Sequence, residues 1–306
     1  MVPSGKIYVA PGTYNETAPF VLNKANLTIQ STAGPLTTII DLQGTGLYNG
    51  VEVLGNLGVV TFNGFTVKDF TQDGIKQSYL QKAGTVFHVL NNIVIPADNY
   101  LRNGIEVTGD GSTVVGNVVY GKLLTTDWAS CGIQVDDASH VRVLNNTVIG
   151  APTTIDVGIC VAAWDYNIDD VLIQGNTVSD AKTAIGMMTG IYTPHVISNI
   201  SILNNVLSSS TTGIAATSSN YDGTTLVLTL SGSIKIENNQ FNGILENDLL
   251  IGAEVAGSSD LADDAAPNWW GQNTGPTAND VVSLATGIPE SAISIYPYCT
   301  NPACTE

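Results

Sequence analysis

One short pattern, apolar-x-apolar-x-Asn-x-apolar, recurs along this chain and limits the folds open to it. It reads VLNNIVI, VVGNVVY, VLNNTVI, IQGNTVS, ILNNVLS and IENNQF. The register Asn falls at Asn92, Asn117, Asn146, Asn176, Asn205 and Asn239, and Asn63 and Asn268 extend the series. The intervals are 29, 25, 29, 30, 29, 34 and 29 residues. Three residues before the six central Asn stand Val89, Val114, Val143, Ile173, Ile202 and Ile236. Two residues after stand Val94, Val119, Val148, Val178, Leu207 and Phe241. The position four before is mixed: His88, Thr113, Arg142, Leu172, Ser201 and Lys235. Alternation with period two marks strands that bury one face.

A second strand family lies between these marks, at Gly74-Ile75, Gly104-Ile105, Gly132-Ile133, Gly158-Ile159 and Gly213-Ile214. A repeat of this size cannot bury its apolar face alone, whereas stacked copies bury it continuously. Helical repeats are excluded by the period of two, and leucine-rich repeats by the missing Leu ladder. Composition agrees, because charged residues make up only 12% of the chain and surface helices need more. The solution is a parallel β-helix with one coil per repeat. Asn at a fixed turn bonds its amide to the coils on either side and tolerates a left-handed backbone.

The opening IYVAPGTYNE, with NLTIQS and TTIIDLQG after it, resembles the first coil of secreted right-handed parallel β-helix proteins with PbH1 repeats. The closing NWWGQNTGP resembles the terminal motif of extracellular members. The resemblance implies an all-β, right-handed solenoid of about eight to nine coils over residues 1–276, with 277–306 as a tail or cap. It also makes Trp269 and Trp270 a plug on the last coil. The fold hosts lyases, hydrolases, epimerases, adhesins and structural subunits, so it does not name an activity.

The net charge of −17 excludes a nucleic-acid partner. Polygalacturonases of this fold carry NTD, GHG and RIK segments, which are absent here. Asp136, Asp137 and Asp165 near Arg142 form the candidate catalytic constellation, and acidic clusters of this kind make Ca2+ the one ion to expect. Trp128 and Trp164 are the candidates for stacking on sugar rings. His88, His140 and His195 are scattered and read as surface or turn residues. The apolar runs are too short to span a membrane, and the start at Met1, without a visible signal peptide, reads as a mature or a trimmed form.

Cys299 and Cys304 lie in the loop CTNPAC and are expected to pair, which fits an oxidising compartment. Aligning Gly132 with Gly158 puts Cys131 opposite Val157, three positions from Cys160. An odd offset places them on opposite faces, so two separate thiols are expected, one of them buried.

The expected function is a non-catalytic extracellular or cell-surface protein. It is a structural or filament-forming subunit that associates with itself or with other surface proteins, and it is a candidate polysaccharide binder. No cofactor is expected beyond Ca2+. The alternative is a lyase or glycoside hydrolase acting on an acidic polysaccharide.

Overall fold

The computed structural model describes residues 4–44, 46, 49–78, 84–97, 102–121, 130–150, 157–189, 194–218, 227–253, 255–257, 267–285, 288, 293, 295 and 298–304. Within these the chain is all-β and winds into a parallel β-solenoid of three sheets. Sheet A stacks ten strands, from Gly5–Val9 to Val255–Gly257. Sheet B stacks nine, from Gly12–Asn15 to Gln240–Asn242. Sheet C stacks ten, from Phe20–Leu22 through Asn247–Ile251 to Val281–Ser283. Residues after 276 therefore still add a strand to the solenoid.

The apolar columns of the sequence become columns in space. Val89, Val114, Val143, Ile173, Ile202 and Ile236 pair in register along sheet A. All are 0–1% exposed. Val94, Val119, Val148, Val178, Leu207 and Phe241 do the same in sheet B. Trp270 continues this second column, its ring stacked on Phe241 at 5.0 Å and 8°. Cys299 and Cys304 are disulfide-bonded in the segment beyond.

At the corner between sheets A and B the register Asn form one buried ladder. The Asn146 backbone N–H and its Nδ2 both donate to Asn176 Oδ1, at 2.9 and 3.0 Å. Nδ2 also donates to the Val114 carbonyl at 2.8 Å, and Asn146 Oδ1 accepts twice from Asn117. Two donors and two acceptor sites are all an amide has, and all are used. The same set repeats through Asn117, Asn176, Asn205 and Asn239, Asn92 makes the same donations at the start, and the ladder ends on Asn268.

Two expectations about this corner are corrected. Asn63 is not a rung, because Asn63 pairs with Leu90 in register, and Phe65 holds the ladder position. Phe65 donates its N–H to Asn92 Oδ1 and stacks its ring on Phe62. The left-handed backbone also belongs to the residue before each rung: Asn91, Asn145, Asn204 and Asn238 have φ of 52–56°, and Gly116 and Gly175 have 67° and 68°. One residue takes the sharp turn while the next satisfies the backbone around it.

The glycines of the second strand family have a steric cause. A Cβ on Gly132 would lie 2.5 Å from Val148 Cγ1 and 2.7 Å from the Gly158 carbonyl oxygen. Gly74, Gly104 and Gly158 meet the same obstacles. This position faces the core, and so does the Ile after it, so alternation breaks at each Gly-Ile pair.

Asn146→Ala should lower stability by about 1–3 kcal/mol, the cost of leaving buried backbone groups unpaired. Urea denaturation of wild type and variant measures it, and a neutral result would refute the structural role of the ladder.

Candidate functional site

The break in alternation decides what lies on the outer face of sheet C. Because Gly132 and Ile133 both face inward, Cys131 faces outward. Gln134, opposite Cys160, faces outward as well. Cys131 and Cys160 are thus on the same face, with Cα atoms 6.1 Å apart, and they form a disulfide between coils. The expectation of two separate thiols is overturned because it assumed unbroken alternation.

Around this disulfide the outer face has two parts. Val157, Ala162 and Met188 join the two Cys in an apolar patch, and half-buried Trp164 packs against it. Trp128 lies outside the described residues.

Beside the patch lies a cluster of charged and polar side chains, on the column Lys76–Glu106–Gln134 and its flanks. Lys76 Nζ lies 2.9 Å from Asp73 Oδ2 and 3.3 Å from Glu106 Oε1. Asn103 Nδ2 donates to Glu106 Oε2 at 2.9 Å. The Asn103 backbone N–H donates to Asp73 Oδ1, and Cys131 N–H donates to Asn103 Oδ1. A short second ladder thus leads to the disulfide. Arg102 sits at the rim, its Nη1 3.8 Å from Asp73 Oδ2 and its side chain 56% exposed.

Asp136 stands two positions beyond Gln134, on the strand next to Glu106. Strand rise and spacing put the Glu106 and Asp136 Cα atoms about 8 Å apart. Glu106 and Asp136 are 5% and 6% exposed. Burial, with the charge of Asp73, lifts the Glu106 carboxyl to about 7 against the pull of Lys76 and Asn103. Burial, then Glu106 and Asp137, push Asp136 well above the usual carboxylate range. Lys76 moves up, since Glu106 and Asp73 outweigh its desolvation. Three acids share one buried lysine, so Asp73 takes the close pair while Glu106 and Asp136 lean towards the neutral form. Asp136 Oδ1 is buried without a hydrogen-bond partner.

The expected constellation of Asp136, Asp137, Asp165 and Arg142 does not assemble. The Asp137 carboxylate accepts the backbone N–H groups of Asp165 and Tyr166, a structural turn cap. Arg142 is on sheet A, where its Nη2 bonds Asp170 Oδ2 at 2.8 Å. Asp170 also bonds His140. Asp136 alone of the four belongs to the cluster. Lys76, Glu106 and Asp73, which the sequence patterns do not single out, flank the Gly-Ile marks. Lys76 and Glu106 each follow a core Ile directly and Asp73 precedes the Gly, in a chain where charge is rare. Among the described residues no group of three or more His, Cys, Asp or Glu is arranged to hold a metal ion.

No protein family matches this chain, and no characterised protein is a detectable sequence relative. Solved structures similar to it include the catalytic unit of a GH87 alpha-1,3-glucanase from Streptomyces thermodiastaticus, at 13% identity and a TM-score of 0.39. That match covers 83% of this chain and 63% of the glucanase unit, so the chain spans less than two thirds of it. The A-module of a mannuronan C-5 epimerase from Azotobacter vinelandii is similar at 12% identity and a TM-score of 0.45, covering 83% of this chain and 86% of the module. These are likenesses of fold, and no substrate passes from them to this chain.

Lys76→Met should cost about 3–5 kcal/mol at pH 8, because it strands buried carboxylates. The cost should shrink at pH 5, where Glu106, whose folded pKa lies above its ordinary value, has taken up a proton. Adding Glu106→Leu to Lys76→Met should recover part of the loss. Thermal melts of the three variants at both pH values provide the measurement.

Proposed function

We propose that this protein is a non-catalytic, extracellular β-solenoid that binds polysaccharide along the outer face of sheet C. The observation that carries this reading is that Asp136, of the polar cluster, pairs with Ala162, of the apolar patch against which half-buried Trp164 packs. Sugars bind where an aromatic face meets fixed hydrogen-bonding groups. Two disulfides support an oxidising, extracellular setting. A scaffold role also fits the first coil, whose Ile7, Tyr8 and Tyr14 are exposed at 49%, 63% and 37%. They offer a contact for another copy or another surface protein.

A binding role is favoured over catalysis because Lys76 and Arg142 are both committed to carboxylates, although Arg102 stays exposed at the rim of the cluster. Arg142 is tied to Asp170, and Lys76 to Asp73 and Glu106. Elimination from a uronate needs both a base and a cation to neutralise the sugar carboxylate. One observation favours hydrolysis as a second reading: Glu106 and Asp136, on neighbouring strands, both hold protons more tightly than ordinary carboxyls.

Calorimetry with a panel of neutral oligosaccharides tests the binding reading. Trp164→Ala should weaken binding about tenfold, the worth of one aromatic contact. No binding to any glycan by the wild type would sink it.

Polygalacturonate and alginate should yield no unsaturated uronides, read by ultraviolet absorbance, with or without Ca2+. Reducing ends released from a neutral glycan, and lost in Glu106→Gln and Asp136→Asn, would promote the hydrolase reading.

A further inference from the structure

The Gly column of sheet C ends in an acid. Gly74, Gly104, Gly132, Gly158, Ala184 and Gly213 occupy this column on successive coils, and the register places Asp248 next, opposite Gly213. At each glycine an added Cβ would point at the inward column of sheet B. At Gly213 it would meet the Phe241 ring at 2.6 Å. One coil on, the same geometry aims Asp248 at Trp270, which stacks on Phe241. Asp248 is 7% exposed, and the Trp270 Nε1 beside this column is buried without a partner.

The next residue of the column is also an acid. Leu249 pairs with Val281, so Asp280 stands opposite Asp248. Two acidic residues therefore occupy consecutive positions, their backbones one strand spacing apart, and the Asp280 carboxylate accepts the Thr277 N–H. The strand that follows Asp280, Val281–Ser283, is the last of sheet C. It is three residues long and has no neighbour on its far side among the described residues. Leu249 N–H donates to the Asp280 carbonyl at 2.8 Å, Leu284 N–H to the Ile251 carbonyl at 2.8 Å, and Asn247 Nδ2 to the Asn279 carbonyl at 2.8 Å.

We propose that Asp248 and Asp280 make Val281–Ser283 a proton-controlled edge strand, seated while Asp248 holds a proton and released from Asn247–Ile251 when Asp248 ionises. Burial, with the charge of Asp280, raises the Asp248 carboxyl to about 8. The residues that the register places against it on the preceding coil and in sheet B are Gly213 and Trp270, neither of them charged. Asp280 is the charged group acting on it from the terminal segment. An acid whose folded pKa lies above its ordinary value of 3.8 loses its stabilising contribution as pH rises from about 4 to about 8, and nothing more beyond. A short strand at the end of a stack is the element with least to hold it, so relief comes by local opening. Release would leave the backbone groups of Asn247–Ile251 as an open sheet edge. This inference is independent of carbohydrate binding.

Hydrogen exchange of the intact protein tests it, with rates corrected for intrinsic base catalysis. Protection of the Leu249 amide should fall by up to tenfold per pH unit between pH 5 and 8, then level off. The Ile202 amide, in the middle of the stack, should show no such slope. Asp248→Asn and Asp248→Gly, which restores the residue of the earlier coils, should abolish the slope. At pH 8 they should protect Leu249 at least 100-fold better than wild type. A pH-independent Leu249 in the wild type, or a slope that survives in both variants, would overturn the proposal.

Discussion

Every coil of a solenoid must turn three times, and each turn pulls backbone amides and carbonyls away from their ladder partners. A buried group left so costs about as much as a hydrogen bond is worth. At the corner between sheets A and B the chain solves this with a single side chain per coil. Each Asn takes the amide and carbonyl that the turn would strand and passes its own carbonyl oxygen to the rung before it. Neighbouring rungs are thereby coupled, and the register of one coil sets the register of the next. The apolar columns stack because this corner holds them in phase.

The second constraint is steric. Where the chain enters sheet C it passes so close to the next coil's carbonyl and to the sheet B column that a side chain has no room. Glycine there lets two successive residues face inward. That local break moves the residues before it to the other face and brings Cys131 and Cys160 together. It also explains why an acid in the same column, at Asp248, is forced into a nearly dry position.

Charge is scarce in this chain, and the fold spends it unevenly. Exposed pairs such as Arg142 with Asp170 add little to stability. The cluster of Asp73, Lys76, Glu106 and Asp136 is different, because it is buried on the outer face of a sheet beside an apolar patch. Placing several acids out of water is costly and is seldom done for stability alone. This cluster and the half-buried Trp164 mark the side of the solenoid to which the proposed function is assigned.

The solenoid, its parallel strands and the residues of its inward columns were legible in the sequence, because a strand's period of two and a coil's period near 29 both survive as spacing. The rungs from Asn92 to Asn239 could be read for the same reason: a repeated polar residue among repeated apolar ones has to be satisfied by its own copies. The misread rung shows the limit, since Asn63 has the right spacing but sits two residues out of register, where Phe65 stacks on Phe62. The site was harder to see. Which face a residue takes after a Gly-Ile break depends on how closely two coils approach, and that distance is a property of the stack. The tertiary structure alone therefore decided that Cys131 meets Cys160, that Arg142 belongs to another sheet than Asp136, and that Lys76 and Glu106 share a buried cluster. Spacing along a chain encodes repetition, whereas contact across coils is set by sterics that no single repeat contains.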